Sequence, residues 1–311
     1  MTRDVVLVGA KSLDVPIAGP VLNTTRPKAM PPRGACDCHA HIFGPAGRFP
    51  YTEGRGYTPP DAPVEQYLKM LAAIGCARGV VVQGNAHGYD NRAILDAVER
   101  TPDRLRGVCI SDTRIDADEL RRWYKLGVRG LRFHMHMPDD KPGYVRGVGL
   151  DVLEVFRPVM RELGMHAQFW CDWRALPGLA DTLRGISRDI PVVIDHMLHI
   201  HAEQGVGDPS FQTLLQLLGE GACWAKVSAA YRLSNKYPDY PDARPFHEAL
   251  VRTNPEQIVW GTDWPHPLID PAVMPDDGKL MDLFMDWTPD AAIREKILVR
   301  NPERLYGFPP I

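Results

Sequence analysis

From Ala35 onward, short runs rich in β-branched and aromatic residues alternate with stretches whose apolar positions recur every three or four residues. That alternation is the pattern of parallel strands joined by crossover helices. Eight such runs begin near Ala35 (ACDCHAHIF), Gly79 (GVVVQ), Gly107 (GVCIS), Gly130 (GLRFH), His166 (HAQFW), Val192 (VVIDH), Cys223 (CWAKVS) and Ile258 (IVWGTD), with consecutive starts at least 23 residues apart. Each interval has room for a crossover helix. Between the runs, Pro63–Ile74 carries proline in its first turn and places Val64, Tyr67, Leu68, Leu71 and Ile74 on one face, as a half-buried helix requires. Asp118–Leu126 has acids at its start and Gly127 after its end, and Ala291–Val299 is a further amphipathic stretch. The chain therefore predicts an α/β fold, a (β/α)8 TIM barrel over residues 35–311. A doubly wound open sheet is the alternative, but no Gly-x-Gly-x-x-Gly follows the first strand to recommend it. Residues 1–34, with Pro16, Pro20, Pro27, Pro31 and Pro32 and little periodicity, read as an N-terminal extended arm wrapping the body or a neighbouring subunit, or as plain disorder.

Composition narrows the class. With 44% hydrophobic and 24% charged residues in 311, the chain has material for a large core and no signature of disorder, collagen, coiled coil or membrane bundle. Lys plus Arg at 36 against Asp plus Glu at 39 leaves a net charge of −3, and no basic block suited to nucleic acid appears. No apolar run approaches the roughly 20 residues needed to span a bilayer. The six cysteines lie mostly inside apolar runs, the usage of a reduced interior, and the first thirty residues lack the layout of a signal peptide. A cytoplasmic protein is expected, a monomer or a homo-oligomer.

In a barrel of this kind the site is built at the carboxyl ends of the strands, so polar residues closing an apolar run are the candidates. The first run closes on Asp37, His39 and His41, the sixth on Asp195 and His196, and the eighth on Asp263 and His266. Strict strand alternation puts Asp37, His39 and His41 on the inner face and Cys36, Cys38 and Ala40 toward the helices. Two imidazoles from a His-x-His strand, a third histidine and an aspartate can hold one divalent ion with an open position for water; the bland alternative is a hydrogen-bonded pair in the barrel mouth. Asp263 is the expected general base, its pKa raised by partial burial beside Trp264 and Pro265, against the alternative of an aspartate that caps a turn. Of the 11 histidines, two further His-x-His pairs remain. His134 and His136 continue the inward alternation beyond Arg132, so at least one of them, His134, is expected to line the pocket, a surface position being the alternative; His199 and His201 read as a solvated loop, with closure over the site as the alternative.

Several blocks together resemble the amidohydrolase superfamily, and within it the branch of 2-pyrone-4,6-dicarboxylate lactonase. They are Ala35–Pro45, Gly56-Tyr-Thr-Pro59, Val81-Val-Gln83 with His87-Gly88, Arg129-Gly-Leu-Arg-Phe133, Val193-Ile-Asp-His-Met197, Lys226-Val-Ser228 with Arg232-Leu-Ser234, and Trp260-Gly-Thr-Asp-Trp-Pro-His-Pro267, in order from about residue 35 to Tyr306. The resemblance implies a (β/α)8 barrel and hydrolysis of a small anionic lactone in the breakdown of aromatic compounds. It implies water activated by Asp263, with His39, His41 and His196 around the lactone carbonyl. That branch works without a metal, while much of the superfamily binds one or two divalent ions at the same positions; zinc or manganese on His39, His41, His196 and Asp263 is the other reading. By the same resemblance, Tyr57, Asn85, Arg132 and Arg232 contact the substrate, and Trp170 stands where the branch has a tyrosine. The branch has a further arginine after the fourth strand, where this chain reads Phe133-His-Met-His-Met-Pro138 with no arginine before Arg146. A lost guanidinium removes a bidentate carboxylate fork that histidine does not reproduce, so a lactone with one carboxylate, or with a sulfonate, is expected. Two other functions stay open: a metal-dependent decarboxylase or sugar-acid lactone isomerase on the same barrel, and a small-molecule binding protein that has kept the fold without the chemistry.

Overall fold

The structure is a computed structural model that describes residues 15–135 and 148–311; His136 and Arg146 lie outside them. The described residues form eight strands, β1 Cys36–Ala40, β2 Arg78–Val82, β3 Leu105–Cys109, β4 Val128–Met135, β5 His166–Cys171, β6 Val192–Ile194, β7 Trp224–Ser228 and β8 Ile258–Gly261. They pair in parallel in the order β1 to β8. An isolated parallel bridge between Ala40 and Trp264, with His41 N donating to Trp264 O and Asp263 N to His39 O, brings β8 back against β1. The (β/α)8 barrel expected from the alternation is the fold.

The intervals carry α1 Val64–Ile74, α2 Arg92–Arg100, α3 Ala117–Leu126, α4 Leu150–Leu163, α5 Leu176–Ser187, α6 Pro209–Gly219, α7 Ala230–Leu233, α8 Arg244–Thr253, α9 Asp277–Trp287, α10 Ala291–Glu295 and α11 Asn301–Tyr306. Helix α1 buries Val64, Tyr67, Met70, Leu71 and Ile74, the predicted stripe, with Leu68 only partly covered, and stops at Gly75 in the left-handed conformation, φ 80°. Helix α3 starts where Asp116 accepts from Glu119 N and ends at Gly127. The stretch expected over Ala291–Val299 runs on to Tyr306 through a π-helical turn at Lys296–Arg300. Residues 15–34 form one bridge, Pro16 to Thr58, and hydrogen bonds from Thr25 N to Asp276 and Lys28 N to Asp282.

Two apolar clusters reflect the two faces of the sheet. Val81 packs in the large cluster with Tyr67 and Leu71 of α1, whereas its neighbours Val80 and Val82 join Cys36, Cys38, Val108, Val193, Trp224 and Val259 inside the barrel, with Leu305, Tyr306 and Phe308 beneath. The expected faces of β1 are therefore corrected: Cys36 and Cys38 face inward, and Asp37 turns to the helix layer, accepting from Tyr67 Oη at 3.1 Å and from Thr262 Oγ1 at 2.7 Å. The reason is a register shift between Asp37 and Ala40. An irregularity of this kind breaks the alternation of period two, and it lets His39 and His41 reach the barrel mouth although Asp37 does not. Burial pushes the Asp37 carboxyl up to about 7, against its hydrogen bonds from Thr262 and His39.

Candidate active site

The seam where β8 meets β1 gathers one carboxylate and three imidazoles. Asp263, one residue beyond Thr262 at the end of β8, adopts φ 63°, a left-handed conformation held by its N–H bond to His39 O and by Thr262, which bonds Asp37 on one side and Trp264 N on the other. Its Oδ2 accepts from Tyr231 Oη, Arg232 Nε and Arg232 Nη2, each at 2.8 Å. Its Oδ1 faces three imidazoles: His41 Nε2 at 3.1 Å, His39 Nε2 at 3.7 Å and His196 Nε2 at 3.7 Å. One carboxylate oxygen is thus saturated and the other is presented to the histidines. The expected upward pKa shift is corrected. Burial does push the Asp263 carboxyl up, but the Arg232 guanidinium foremost, with the hydrogen bond from His41, outweighs it and holds the group well below the usual carboxylate range.

Each imidazole is fixed from behind. His41 Nδ1 lies 2.8 Å from Val82 O, which only accepts, so that nitrogen carries a proton. The contact of its Nε2 with Asp263 then requires one shared proton. His196 Nδ1 bonds Ser228 Oγ at 2.9 Å. His196 opens a run of four left-handed residues, His196 to His199, with φ between 49° and 70°; such strain in non-glycine residues concentrates at functional sites. His39 Nδ1 stands 3.2 Å from Lys226 Nζ and 3.3 Å from Asp195 Oδ1. Burial, aided by Lys226, lowers His39 to about 3, and burial takes His196 well below its ordinary value, so both imidazoles are neutral.

A polar layer beneath the cluster holds these groups in place. Lys226 on β7 is fully buried, with Nζ 2.7 Å from Gln168 Oε1, 3.1 Å from Cys38 O and 3.4 Å from Asp195 Oδ1. Asp195 Oδ2 also pairs with Arg132, whose Nε and Nη2 lie at 3.1 and 3.0 Å. Burial raises Asp195, yet Lys226, His39 and Arg132 together keep it well below the ordinary range. With Lys226 protonated, three cations (Lys226, Arg132, Arg232) face two carboxylates (Asp195, Asp263). That surplus of positive charge, to which the proton shared by His41 and Asp263 adds, favours an anionic ligand.

The structure brings His39, His41, His196 and Asp263 together as expected. Around them, Tyr57 stands edge-on to Phe43, which stacks on His41, and Asn85 sits in the buried turn after β2, beyond the carbonyl that holds His41. His134 and Trp170 are partners in the β4–β5 register, and a line of ring contacts runs from His134 through Trp170 and His199 to His196. The expectation for His199 is corrected: its Nε2 is buried and without a hydrogen-bond partner, whereas His201 is exposed. The left-handed turn, which a sequence pattern does not show, swings His199 back over the site. Arg132 and Arg232, expected to meet substrate, are paired here with Asp195 and Asp263. Lys226, Tyr231, Ser228 and Gln168 had no role assigned from sequence. Lys226 offered a signal, a lone charge within the apolar run Cys223-Trp-Ala-Lys-Val, since a buried charge is the informative exception.

One ligand atom from each of His39, His196 and Asp263 lies within 4.8 Å of the other two, and His39 Nε2 has no hydrogen-bond partner. Ligand atoms around a tetrahedral zinc with bonds of about 2.0–2.1 Å stand roughly 3.3 Å apart, so two nitrogens at 3.7 Å from one carboxylate oxygen fit a small divalent ion after slight closure.

A family model described as amidohydrolase matches residues 36–308. The chain is 39% identical over 293 residues to 4-sulfomuconolactone hydrolase of Rhizobium radiobacter, covering 94% of this chain and 96% of that one. It is 36% identical over 295 residues to 2-pyrone-4,6-dicarboxylate hydrolase of Comamonas testosteroni, covering 91% and 93%. Among solved structures, that of a protein from Pseudomonas putida described as a putative 2-pyrone-4,6-dicarboxylic acid hydrolase superposes with a TM-score of 0.73 at 30% identity, covering 89% and 98%.

Proposed function

The chain belongs to the amidohydrolase family, and we propose that its barrel-mouth site hydrolyses the ring ester of a small anionic lactone from aromatic-compound breakdown. The observation that carries this reading is the divided environment of Asp263: Oδ2 saturated by Tyr231 and Arg232, Oδ1 turned to three imidazoles. A water at Oδ1 gives a proton to the carboxylate as it attacks the lactone carbonyl. N–H groups of His39, His41 and His196 are placed to stabilise the oxyanion. As the ring C–O bond breaks, Asp263 returns the proton to the leaving oxygen, and the new carboxylic acid ionises in water. Where a zinc or manganese ion is bound, His39, His196 and Asp263 would hold it, and it would supply Lewis-acid polarisation of the carbonyl.

A strongly depressed carboxylate is a weak base, and Arg232 offers the remedy. Its side chain is 20% exposed, so an incoming sulfonate or carboxylate can share its guanidinium. As that charge is drawn away, the proton affinity of Asp263 rises, which couples substrate binding to base strength. Tyr57, Asn85, Arg132, His134 and Trp170 complete the assigned substrate contacts. One sulfonate or carboxylate near Arg232 suits a sequence that reads Phe133-His-Met-His where the related branch carries a further arginine. Relatives at 36–39% identity bear hydrolase names, so decarboxylase, isomerase and pure binding functions are less favoured. Six buried, free cysteines support a reducing compartment, and no helix among the described residues is long and apolar enough to cross a membrane.

The test is incubation with 4-sulfomuconolactone and with 2-pyrone-4,6-dicarboxylate in water enriched in oxygen-18. The expected product is the open acid with one heavy oxygen in its new carboxylate. An isomerised lactone without label, release of carbon dioxide, or tight binding without turnover would overturn the assignment.

A further inference from the structure

A buried hydrogen-bond chain leads away from the reacting cluster and ends at the start of α9. Tyr231 Oη, 2.8 Å from Asp263 Oδ2, lies 3.0 Å from His266 Nδ1, and His266 Nε2 lies 3.1 Å from Asp277 Oδ1. Tyr231, His266 and Asp277 are all buried, and the tyrosine and histidine rings meet edge to face with centroids 5.2 Å apart. The direction of each bond follows from its partners. A carboxylate only accepts, so Tyr231 donates its single hydroxyl proton to Asp263. Its oxygen is then the acceptor for His266, whose Nδ1 must carry a proton, and His266 Nε2 shares the next proton with Asp277. The hydroxyl of Tyr231 and the Nδ1–H of His266 both point toward Asp263.

We infer that Asp277, His266 and Tyr231 form a positioning triad for the catalytic carboxylate, keeping a hydroxyl donor on Oδ2 so that Oδ1 alone meets the reacting water. The inference rests on the lactone hydrolase reading. Arg232 also occupies Oδ2, but it is the partly exposed partner that an anionic substrate can engage. Tyr231 is buried and tied from behind, so it stays on Oδ2 when Arg232 turns to the substrate. Without it, rotation about the Cβ–Cγ bond would exchange the two oxygens among the histidines.

Steady-state kinetics of Tyr231→Phe, Asp277→Ala, their double variant and His266→Asn, on whichever of the two lactones the native protein opens, tests the triad, with thermal melts to confirm folding. Tyr231→Phe is expected to lower kcat about tenfold or more while KM changes less than about threefold, the scale of a hydrogen bond to a charged group. Asp277→Ala lowers kcat severalfold in the native background and less than about twofold in the Tyr231→Phe background, because it acts through the tyrosine. His266→Asn, whose amide donates from nearly the position of Nδ1 and tolerates the left-handed φ of 60°, keeps at least about a third of native kcat. Native kcat in Tyr231→Phe, or effects of the two single changes that multiply, would overturn the triad. Nitrogen-15 shifts of His266 in the native protein give a readout that needs neither turnover nor a variant: a protonated Nδ1 is expected, and a bare Nδ1 would overturn the assignment. Failure of the native protein on both lactones would remove the lactonase reading and leave the nitrogen-15 signature as the deciding measurement for the triad.

Discussion

Replacing Lys226 by methionine removes the one cation among the described residues that touches the backs of both His39 and Asp195. The substitution keeps the length and apolar stem of the side chain, so the perturbation is chiefly the loss of the ammonium. In the native structure that group lies 2.7 Å from Gln168 Oε1, 3.1 Å from Cys38 O and 3.2 Å from His39 Nδ1, at zero exposure. Each buried acceptor left without a donor costs about 1–3 kcal/mol, and removing one member of a buried ion pair costs about 3–5 kcal/mol. These penalties overlap, and Arg132 still compensates Asp195, so a net loss of about 3–5 kcal/mol is expected. At roughly 2–4 °C per kcal/mol for domains approaching this size, the melting midpoint falls by roughly 6–20 °C. His39 also loses the contact that orders its Nδ1; where such a histidine ligates a metal, the groups behind it are typically worth roughly 10–100-fold in metal affinity or activity. The assay is a thermal melt with lactone kinetics well below the variant's midpoint. A variant that melts within 2 °C of the native protein and keeps its kcat would refute the account of the polar layer.

Other outcomes follow from the same structure. Burial lowers His39, His166 and His247 to about 3, whereas an unfolded chain binds those protons near pH 6.5. The neutral forms therefore contribute stability that is lost as pH falls from about 6.5 toward 3, at roughly 4 kcal/mol per pH unit for three groups near pH 5. Asp37, raised to about 7, works in the opposite sense between its unfolded value and 7, so denaturant midpoints at pH 5 and 7 are expected to favour pH 7; equal midpoints would contradict the burial of the histidines. Gly79→Ala would drive a β-carbon into Tyr67 Oη, the donor to Asp37; a loss of about 1–3 kcal/mol in denaturant titration is expected, and no loss would show that α1 moves freely on the barrel. Chelation followed by elemental analysis and readdition of zinc or manganese reads the other use of the cluster. Activity lost and restored with one bound ion would assign His39, His196 and Asp263 as ligands, and unchanged activity in metal-free protein would assign the imidazoles as the only oxyanion donors.

The barrel was legible because its signal repeats: all eight strands start within two residues of the positions where apolar runs begin, and the intervals alone required parallel crossovers. His39, His41, His196 and Asp263 were legible because they close such runs. The inward face of β1 was not, since one irregularity between Asp37 and Ala40 reverses an argument built on a period of two. The low proton affinity of Asp263 was hidden because its cause, Arg232, lies 31 positions away in sequence. The placement of His199 escaped for a backbone reason, four successive left-handed residues; Tyr231 and Asp277, and their link to the strand-end candidate His266, escaped because a relay across three elements has no local pattern.

The most direct measurement is the kcat of Asp263→Asn against native protein on a lactone the native protein opens. Asparagine preserves the shape and still accepts from Tyr231 and Arg232, but cannot take the proton from water. The expected fall is about 10²–10⁴-fold, the usual worth of a positioned general base, with KM changed only severalfold. Retention of more than about a tenth of native kcat would contradict the assignment of Asp263 as the base.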